Sequence, residues 1–283
     1  MIAIIGGSGF EKFEAFETLT ELDRETPFGK ASTGLKKVKI NDQECLFLSR
    51  HGQNHEDLPS ELNYRANIFA LKKHGAKAII SFSAVGSLRK EFKPGDMVVP
   101  HQYIDRTKGL RPHTFLGNGV VGHISLAKPM CEVMSHHTKE ICQNKKWDCH
   151  FGQSYICIEG PYFSTKAESN SYRAMGADII GMTHFPEFAL AREAGLPYLP
   201  CCFVTDYDCW DDSIPHVTLQ EVIEVMRNNN AKAFELVCDL LPLGQKLFAG
   251  SYCIDGGLRT GIMTPRDLIP HDAWTWIDVL TQD

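Results

Sequence analysis

Short apolar runs alternate with helix-like stretches along most of this chain, and that alternation limits the folds open to it. The runs at 2–5, 35–40, 45–49, 78–82, 97–103, 154–158, 179–182 and 198–204 have strand length. Several are almost unbroken in apolar residues, as strands buried on both faces are. Between them, Tyr64, Ile68 and Leu71 share a helical face that Gly75 ends. Thr165 and Glu168 have the spacing of a capping box, as do Thr218 and Glu221. Pro186 and Glu187 suit the first turn of a helix ending at Gly195. Val222, Val225, Met226, Val237, Leu240 and Leu241 mark a long amphipathic helix. Strand–helix alternation of this kind predicts one α/β domain around a central sheet. The tail from Phe248 differs: it is Gly-rich at 256–257 and ends in a short helical stretch, 272–280, that carries Trp274 and Trp276. It is expected to pack on the domain or on a neighbouring subunit.

The residues just beyond each strand are more informative than the strands themselves. Gly6-Gly7-Ser8-Gly9, Arg50-His51-Gly52, Ser83-Ala84-Val85-Gly86-Ser87, Thr183 and Thr205-Asp206-Tyr207-Asp208 each come directly after an apolar run. Ligands of α/β sheets bind beyond the carboxyl ends of strands. Glycines with Ser8 suit an anion, since backbone N–H groups can turn inward there. Guanidinium is the preferred bidentate partner of a tetrahedral oxyanion, which singles out Arg50. Asp206 and Asp208 could bind a metal, cap a helix or do acid–base work. Too few hard ligands accompany them for a metal. Above a purine, a carboxylate can accept from an exocyclic amine or, when protonated, donate to N7.

Other chemistries are absent from the pattern. Lys12 stands where a dinucleotide fingerprint needs its last glycine, and Phe10 where a nucleophile elbow needs one. The 12 histidines show no ligand spacing: His136 and His137 fall on a polar helical face, and His55, His123 and His184 are scattered. No metal is expected. The 10 cysteines include no C-x-x-C pair and sit mostly in apolar surroundings, so reduced thiols and a cytoplasmic location are expected. A net charge of −6 gives no general attraction to nucleic acid, and no apolar run approaches membrane-spanning length.

The chain resembles the methylthioadenosine phosphorylases of the trimeric purine nucleoside phosphorylase superfamily. The motifs are IIGGSGF (4–10), TPFGK (26–30), RHGQNH (50–55), NYRANIFALK (63–72), GSLRKEFKPGDMVVPHQYIDRT (86–107), IEGPYFSTKAES (158–169), MTHFPEFALAREAGLPY (182–198) and TDYDCW (205–210). The resemblance implies a single nucleoside-phosphorylase-like domain over 1–242, a mixed central sheet flanked by helices, and an extension over 243–283. It implies phosphorolysis of 5′-methylthioadenosine to adenine and 5-methylthioribose 1-phosphate, a step of purine and methionine salvage. Phosphate is the co-substrate, and no cofactor is needed.

The same resemblance assigns roles. Ser8, Arg50, His51, Ser83, Ala84 (through its N–H) and Thr183 would hold phosphate. Met182 would lie against the ribose, Phe163 would stack on the base with Ser164 beside it, and Asp206 would contact N7 and the amine with support from Asp208. Val217 and Leu219 would line the methylthio pocket. His123 matches a residue lent to a neighbouring subunit, which implies a homotrimer. Tyr162, His184 and Phe185 depart from the family pattern, and the match fades after Pro242. The competing readings are a phosphorylase of 6-oxopurine nucleosides such as methylthioinosine, and a non-catalytic nucleoside binder. Asp206 favours the aminopurine, because a carboxylate suits a donor better than a carbonyl does. A phosphate subsite would be of no use to a binder.

Overall fold

The computed structural model describes residues 1–7, 10, 16–211, 213 and 219–282, the side chains of 219–224 excepted. In chain order the strands are β1 (Ile2–Gly6), β2 (Glu17–Glu21), β3 (Glu25–Thr26), β4 (Gly29–Lys30), β5 (Lys36–Ile40), β6 (Gln43–Ser49), β7 (Ala78–Ser87), β8 (Met97–Arg106), β9 (Cys149–Ile158), β10 (Ile179–Gly181) and β11 (Tyr198–Asp206). The helices are α1 (Tyr64–Lys73), α2 (Glu132–Lys145), α3 (Lys166–Ala174), α4 (His184–Glu193), α5 (Leu219–Leu240), α6 (Leu258–Gly261) and α7 (Trp274–Thr281).

Every strand expected from an apolar run is present. Expected β7, β8, β9 and β11 all extend further than their most apolar residues, and β7 runs on through Ser83–Ser87. Strand β2 was not expected, because its five residues, ETLTE, are all exposed and carry no apolar alternation. The minimal pair β3–β4 is equally silent in sequence.

Nine strands form a mixed sheet in the order β10-β9-β8-β11-β7-β1-β6-β5-β2. Strand β1 lies parallel to both β6 and β7, and β11 runs parallel to β7 on its other side. The β5–β6 hairpin turns on Asn41 and Asp42, both with positive φ, as a type I′ turn requires. Strand β10 pairs parallel with β9 and also antiparallel with the end of β7, through Ile179–Ser87 and Ile180–Gly86. Strands β7, β11, β8, β9 and β10 therefore close into a ring, and the β10 exit is brought beside the β7 exit.

Successive residues of the inner strands serve opposite faces. Ile5, Leu46, Leu48 and Ile79 pack with residues of α1, α4 and α7, including Ile68, Leu71 and Leu190. Ile4, Phe47, Ile80 and Phe82 pack on the other face with Met134 of α2 and with Leu236 and Val237 of α5. Asn63 caps α1, its side chain accepting from Ala66 N at 3.1 Å. The Thr165–Glu168 capping box opens α3, with both reciprocal bonds made. The second expected box, Thr218 with Glu221, lies outside the described residues. All ten cysteines are free thiols, and no helix among the described residues is long and apolar enough to cross a membrane.

The C-terminal stretch lies on its own domain. Trp276, Ile277 and Leu280 of α7 are buried in the cluster that includes α1, and the Trp276 ring lies 6.0 Å from Phe28. Trp276→Ala should cost about 3–5 kcal/mol of unfolding free energy, the range for a buried aromatic truncated to a cavity. Chemical denaturation checks this; a loss under about 1 kcal/mol would mean the tail contributes little to the domain.

Candidate active site

A cavity of about 670 Å³ opens at the rim where these strand ends meet. The register explains what it contains. Ile5 pairs with Ser81 and Gly6 with Ser49, so β1 and β6 stop where β7 continues. Ser83 and Ala84 stand just beyond that stop, next to Gly7 and Arg50. Ring closure then adds Ile180, Gly181, Met182 and Thr183 from the β10 exit, and β11 adds Thr205, Asp206 and the following Asp208.

Arg50 dominates the floor at one end. Its side chain is fully buried, with 0% exposure. Nε and Nη2 donate to the two carboxylate oxygens of Glu187 at 2.6 and 2.8 Å. Nη2 also donates to Ser81 Oγ at 2.6 Å, and Nη1 donates to the Phe82 carbonyl at 2.9 Å. The bidentate edge expected for an oxyanion is thus turned to a protein carboxylate, and Nη1 lies beside Gly7 and the Phe82 carbonyl. A side chain at Gly7 would collide with Nη1 and with the Phe82 carbonyl, so only glycine fits there. Burial opposes the charge on Arg50, but Glu187 outweighs it and holds the guanidinium above its usual range. Burial likewise opposes the Glu187 charge, and Arg50 keeps that carboxyl below its usual range.

Two hydroxyl side chains and an imidazole line the same cavity. Ser83 is buried, its Oγ donating to Cys202 Sγ at 3.5 Å. Thr183 precedes α4 without capping it, so its hydroxyl is not committed to the helix end. His51 is buried, its Nδ1 2.9 Å from the Asp57 carbonyl. His184, next to Thr183, is fully buried behind the wall and stacks on Tyr155 at 4.7 Å. Burial lowers its pKa from 6.5 to about 3, so it is a neutral imidazole at ordinary pH.

At the other end, a bulge between Val204 and Asp206 re-aims the last residue of β11. Asp206 Oδ2 accepts from Thr205 Oγ1 at 2.7 Å, and Oδ1 accepts from Asp208 N at 2.8 Å. Burial raises the proton affinity of the Asp206 carboxyl despite these two bonds, and burial raises that of Asp208 as well. The loop is pinned by Trp210, whose Nε1 donates to the Ser87 carbonyl at 2.9 Å while Arg173 covers its ring at 3.9 Å. Phe163 and Ser164 line the cavity too, and among the described residues the Phe163 ring stays 79% exposed at the mouth.

The structure therefore brings Arg50, His51, Ser83, Ala84, Phe163, Ser164, Met182, Thr183, Asp206 and Asp208 to one cavity. His123 is not among its walls; it is exposed, its N–H bonded to the Gly261 carbonyl. Ser8, Val217 and the side chain of Leu219 lie outside the described residues. Sequence reasoning missed His55, Leu58 and Pro59, and also Met226, Arg227 and Asn230 of α5. The last three could have been found, since 219, 226, 227 and 230 fall on one face of a helix. Among the described residues, no group of three or more His, Cys, Asp or Glu is placed to hold a metal ion.

Comparison with known proteins bears on the same cavity. The family model of the phosphorylase superfamily matches residues 1–242. The S-methyl-5′-thioadenosine phosphorylase of Geobacter sulfurreducens is 41% identical, over 99% of this chain and 97% of that protein. The enzyme of the same name from Neurospora crassa is 45% identical over 83% of this chain and 77% of its own. Among solved structures, a methylthioadenosine phosphorylase from an antarctic soil metagenomic library superposes with a TM-score of 0.91 at 40% identity, covering 99% of this chain and 98% of that one. A point mutant of the adenosine/methylthioadenosine phosphorylase of Schistosoma mansoni, in complex with methylthioadenosine, gives a TM-score of 0.82 at 34% identity, covering 95% and 99%.

The buried charges have two measurable consequences. Glu187→Gln leaves the Arg50 cation buried and unneutralised, and should cost about 3–5 kcal/mol of stability by urea denaturation. For His184, both states are neutral above pH 6.5, so no slope arises there. Below it, the unfolded chain takes up a proton that the folded chain refuses until about pH 3, so stability falls as pH falls, by about 1.4 kcal/mol per unit. Denaturation midpoints at pH 7 and 5 should show this slope, and His184→Gln should flatten it; an equal slope in the variant would assign the dependence elsewhere.

Proposed function

Because this chain belongs to the phosphorylase superfamily, we propose that it uses inorganic phosphate to cleave 5′-methylthioadenosine into adenine and 5-methylthioribose 1-phosphate. One observation carries the reading: a single cavity is lined by a buried cation, the hydroxyl residues Ser83 and Thr183, and a carboxyl of raised proton affinity. The first end suits a tetrahedral anion and the second a purine.

Phosphate would bind against the Nη1 side of Arg50, the hydroxyls of Ser83 and Thr183, His51, and the Ala84 N–H, with Ser8 adding a donor. The nucleoside's sugar would lie on Met182, and its base would sit between Phe163 and the Asp206–Asp208 loop beside Ser164. Val217 and Leu219 would contact the 5′ methylthio group. As the C1′–N9 bond lengthens, its electron pair moves into the purine, and the Asp206 proton passes to N7, so adenine leaves neutral. The anionic phosphate faces the developing positive charge on the sugar and forms the new O–C1′ bond. Burial of Asp206 favours this step, because it raises the carboxyl's affinity for the proton to be donated. The remainder of the catalysis is placement and fixed charge. The reaction needs no cofactor and no metal.

Assembly completes the reading. Phe163 is open on its outer side, and His123 is exposed away from its own chain's cavity. In a homotrimer, His123 of one copy would close the site of the next. The ten free thiols fit a reducing cytoplasmic location.

Turnover of methylthioadenosine with and without phosphate, followed as adenine release, tests the proposal. Release should require phosphate; release at the same rate in its absence would indicate a hydrolase. Asp206→Asn should lower kcat/KM for methylthioadenosine by about 10²-fold or more, the usual range for losing a proton donor. It should also shift preference toward methylthioinosine, whose 6-carbonyl accepts from the new amide. Unchanged rates with both substrates would remove Asp206 from its role.

A further inference from the structure

Behind the cavity wall lies a second buried arginine that the phosphorylase reading leaves without a task. Arg111 sits in the loop beyond β8 and is 2% exposed. Its Nε donates to Glu159 Oε1 at 2.7 Å, a buried ion pair. Nη1 donates to the carbonyls of Met182 and Phe185, both at 2.7 Å. Nη2 donates to the Glu159 carbonyl at 2.8 Å and, more distantly, to that of Ile158 at 3.4 Å. The five N–H groups of a guanidinium are thereby all used. Nη1 also lies 3.3 Å from the hydroxyl of Tyr64, which donates to the Pro59 carbonyl at 3.0 Å.

These acceptors are not scattered. Ile158, Met182 and Pro59 line the cavity, and Met182 immediately precedes Thr183. Four of the acceptors are main-chain carbonyls, in the β9 exit and the β10–α4 turn. The β10–α4 turn leaves regular helix geometry at Phe185, so its carbonyls are not tied up in a helical ladder. A neutral side chain could not satisfy so many carbonyls, and a lysine, with its donors on one atom, could not span both segments. Glu159 neutralises the cation and also accepts from Lys108 N at 2.7 Å, which fixes the loop that carries Arg111.

We propose that Arg111 is a positioning residue for phosphorolysis, clamping the β9 exit to the β10–α4 turn from behind so that Met182 and Ile158 present a fixed surface to the sugar. Arg111 touches neither substrate. Its effect passes through the backbone it holds, and the inference rests on the phosphorylase reading of the cavity.

The experiment compares Arg111→Lys with the paired change Arg111→Met and Glu159→Gln, which removes both charges together and so avoids stranding one in the core. Steady-state kinetics are measured with methylthioadenosine and phosphate varied separately, at a temperature where circular dichroism shows each variant folded. The lysine variant should raise KM for the nucleoside and lower kcat, with kcat/KM down by about tenfold to 10²-fold, as expected for a misplacement near 1 Å. The paired variant should behave alike even though it carries no buried charge. A folded lysine or paired variant with a lower Tm but wild-type KM and kcat would make Arg111 purely structural and overturn the inference. The wild-type enzyme separates the two levels: phosphate-dependent adenine release there, with no kinetic change in the variants, sinks the role of Arg111 alone, whereas no phosphate-dependent release in the wild type sinks the reading of the cavity.

Discussion

The pair of Arg50 and Glu187 holds the rim of the sheet together. Arg50 follows β6, Glu187 is on α4, Ser81 is on β7 and Tyr198 opens β11; all four side chains meet in one buried network. A buried ion pair is costly to desolvate and stabilises a fold only when its geometry and remaining hydrogen bonds are close to complete. Here they are: Glu187 Oε1 alone accepts from Arg50, Ser81 and Tyr198. The network fixes where β6 ends and α4 begins relative to β7, and with them the Arg50 end of the cavity. It also explains the glycine at position 7, since the guanidinium occupies the space a side chain would need.

A second constraint is topological. Had β10 paired with β9 alone, the sheet would have stayed open, and Met182 and Thr183 would have stood apart from Ser83. Antiparallel pairing of Ile180 with Gly86 closes the ring and sets the Met182–Thr183 turn beside the hydroxyl-bearing end of β7. Close packing enforces this. The Tyr155 hydroxyl occupies the place where a side chain on residue 181 would project, so β10 can reach its position only with glycine there. Closure and charge network act on the same turn from opposite sides, because α4, which carries Glu187, starts where β10 ends.

Much of this was legible in the residues. The inner strands announced themselves as unbroken apolar runs, since burial on both faces removes the need for polar alternation. Thr165 and Glu168 announced a helix start because a capping box is a local device. The hydroxylic and acidic residues after each run pointed to one rim, and ten of the residues named for phosphate and nucleoside do line one cavity. Strand β2 was silent, being exposed and held mainly by its pairing to β5. The long-range partnerships were silent as well. Nothing local to Glu187 or Glu159 says that each meets an arginine; a carboxylate in a helix turn or at a strand end is ordinarily solvated. Arg50 does line the cavity, but the direction of its fork depends on a carboxylate 137 residues away in sequence. Pairing across such a distance is a property of the closed sheet.

These partnerships divide the electrostatics of the cavity. The two buried arginines near it are neutralised by buried glutamates, the exposed Arg227 standing on the α5 side, and the buried histidine beside Thr183 is neutral. At its buried end the cavity therefore presents hydrogen-bond donors backed by the Arg50 cation, whose charge Glu187 balances. That suits an enzyme whose anion must bind, react and leave as part of a product. A bare buried arginine would hold phosphate too firmly to release it on the sugar, while donors of moderate strength bind it reversibly. Asp206 follows the same logic at the opposite end. Among the described residues no cation is paired to it, and burial raises the proton affinity of its carboxyl. Under the proposed function, a balanced cation at one end and a buried acid at the other would let one cavity serve an anion and a purine together.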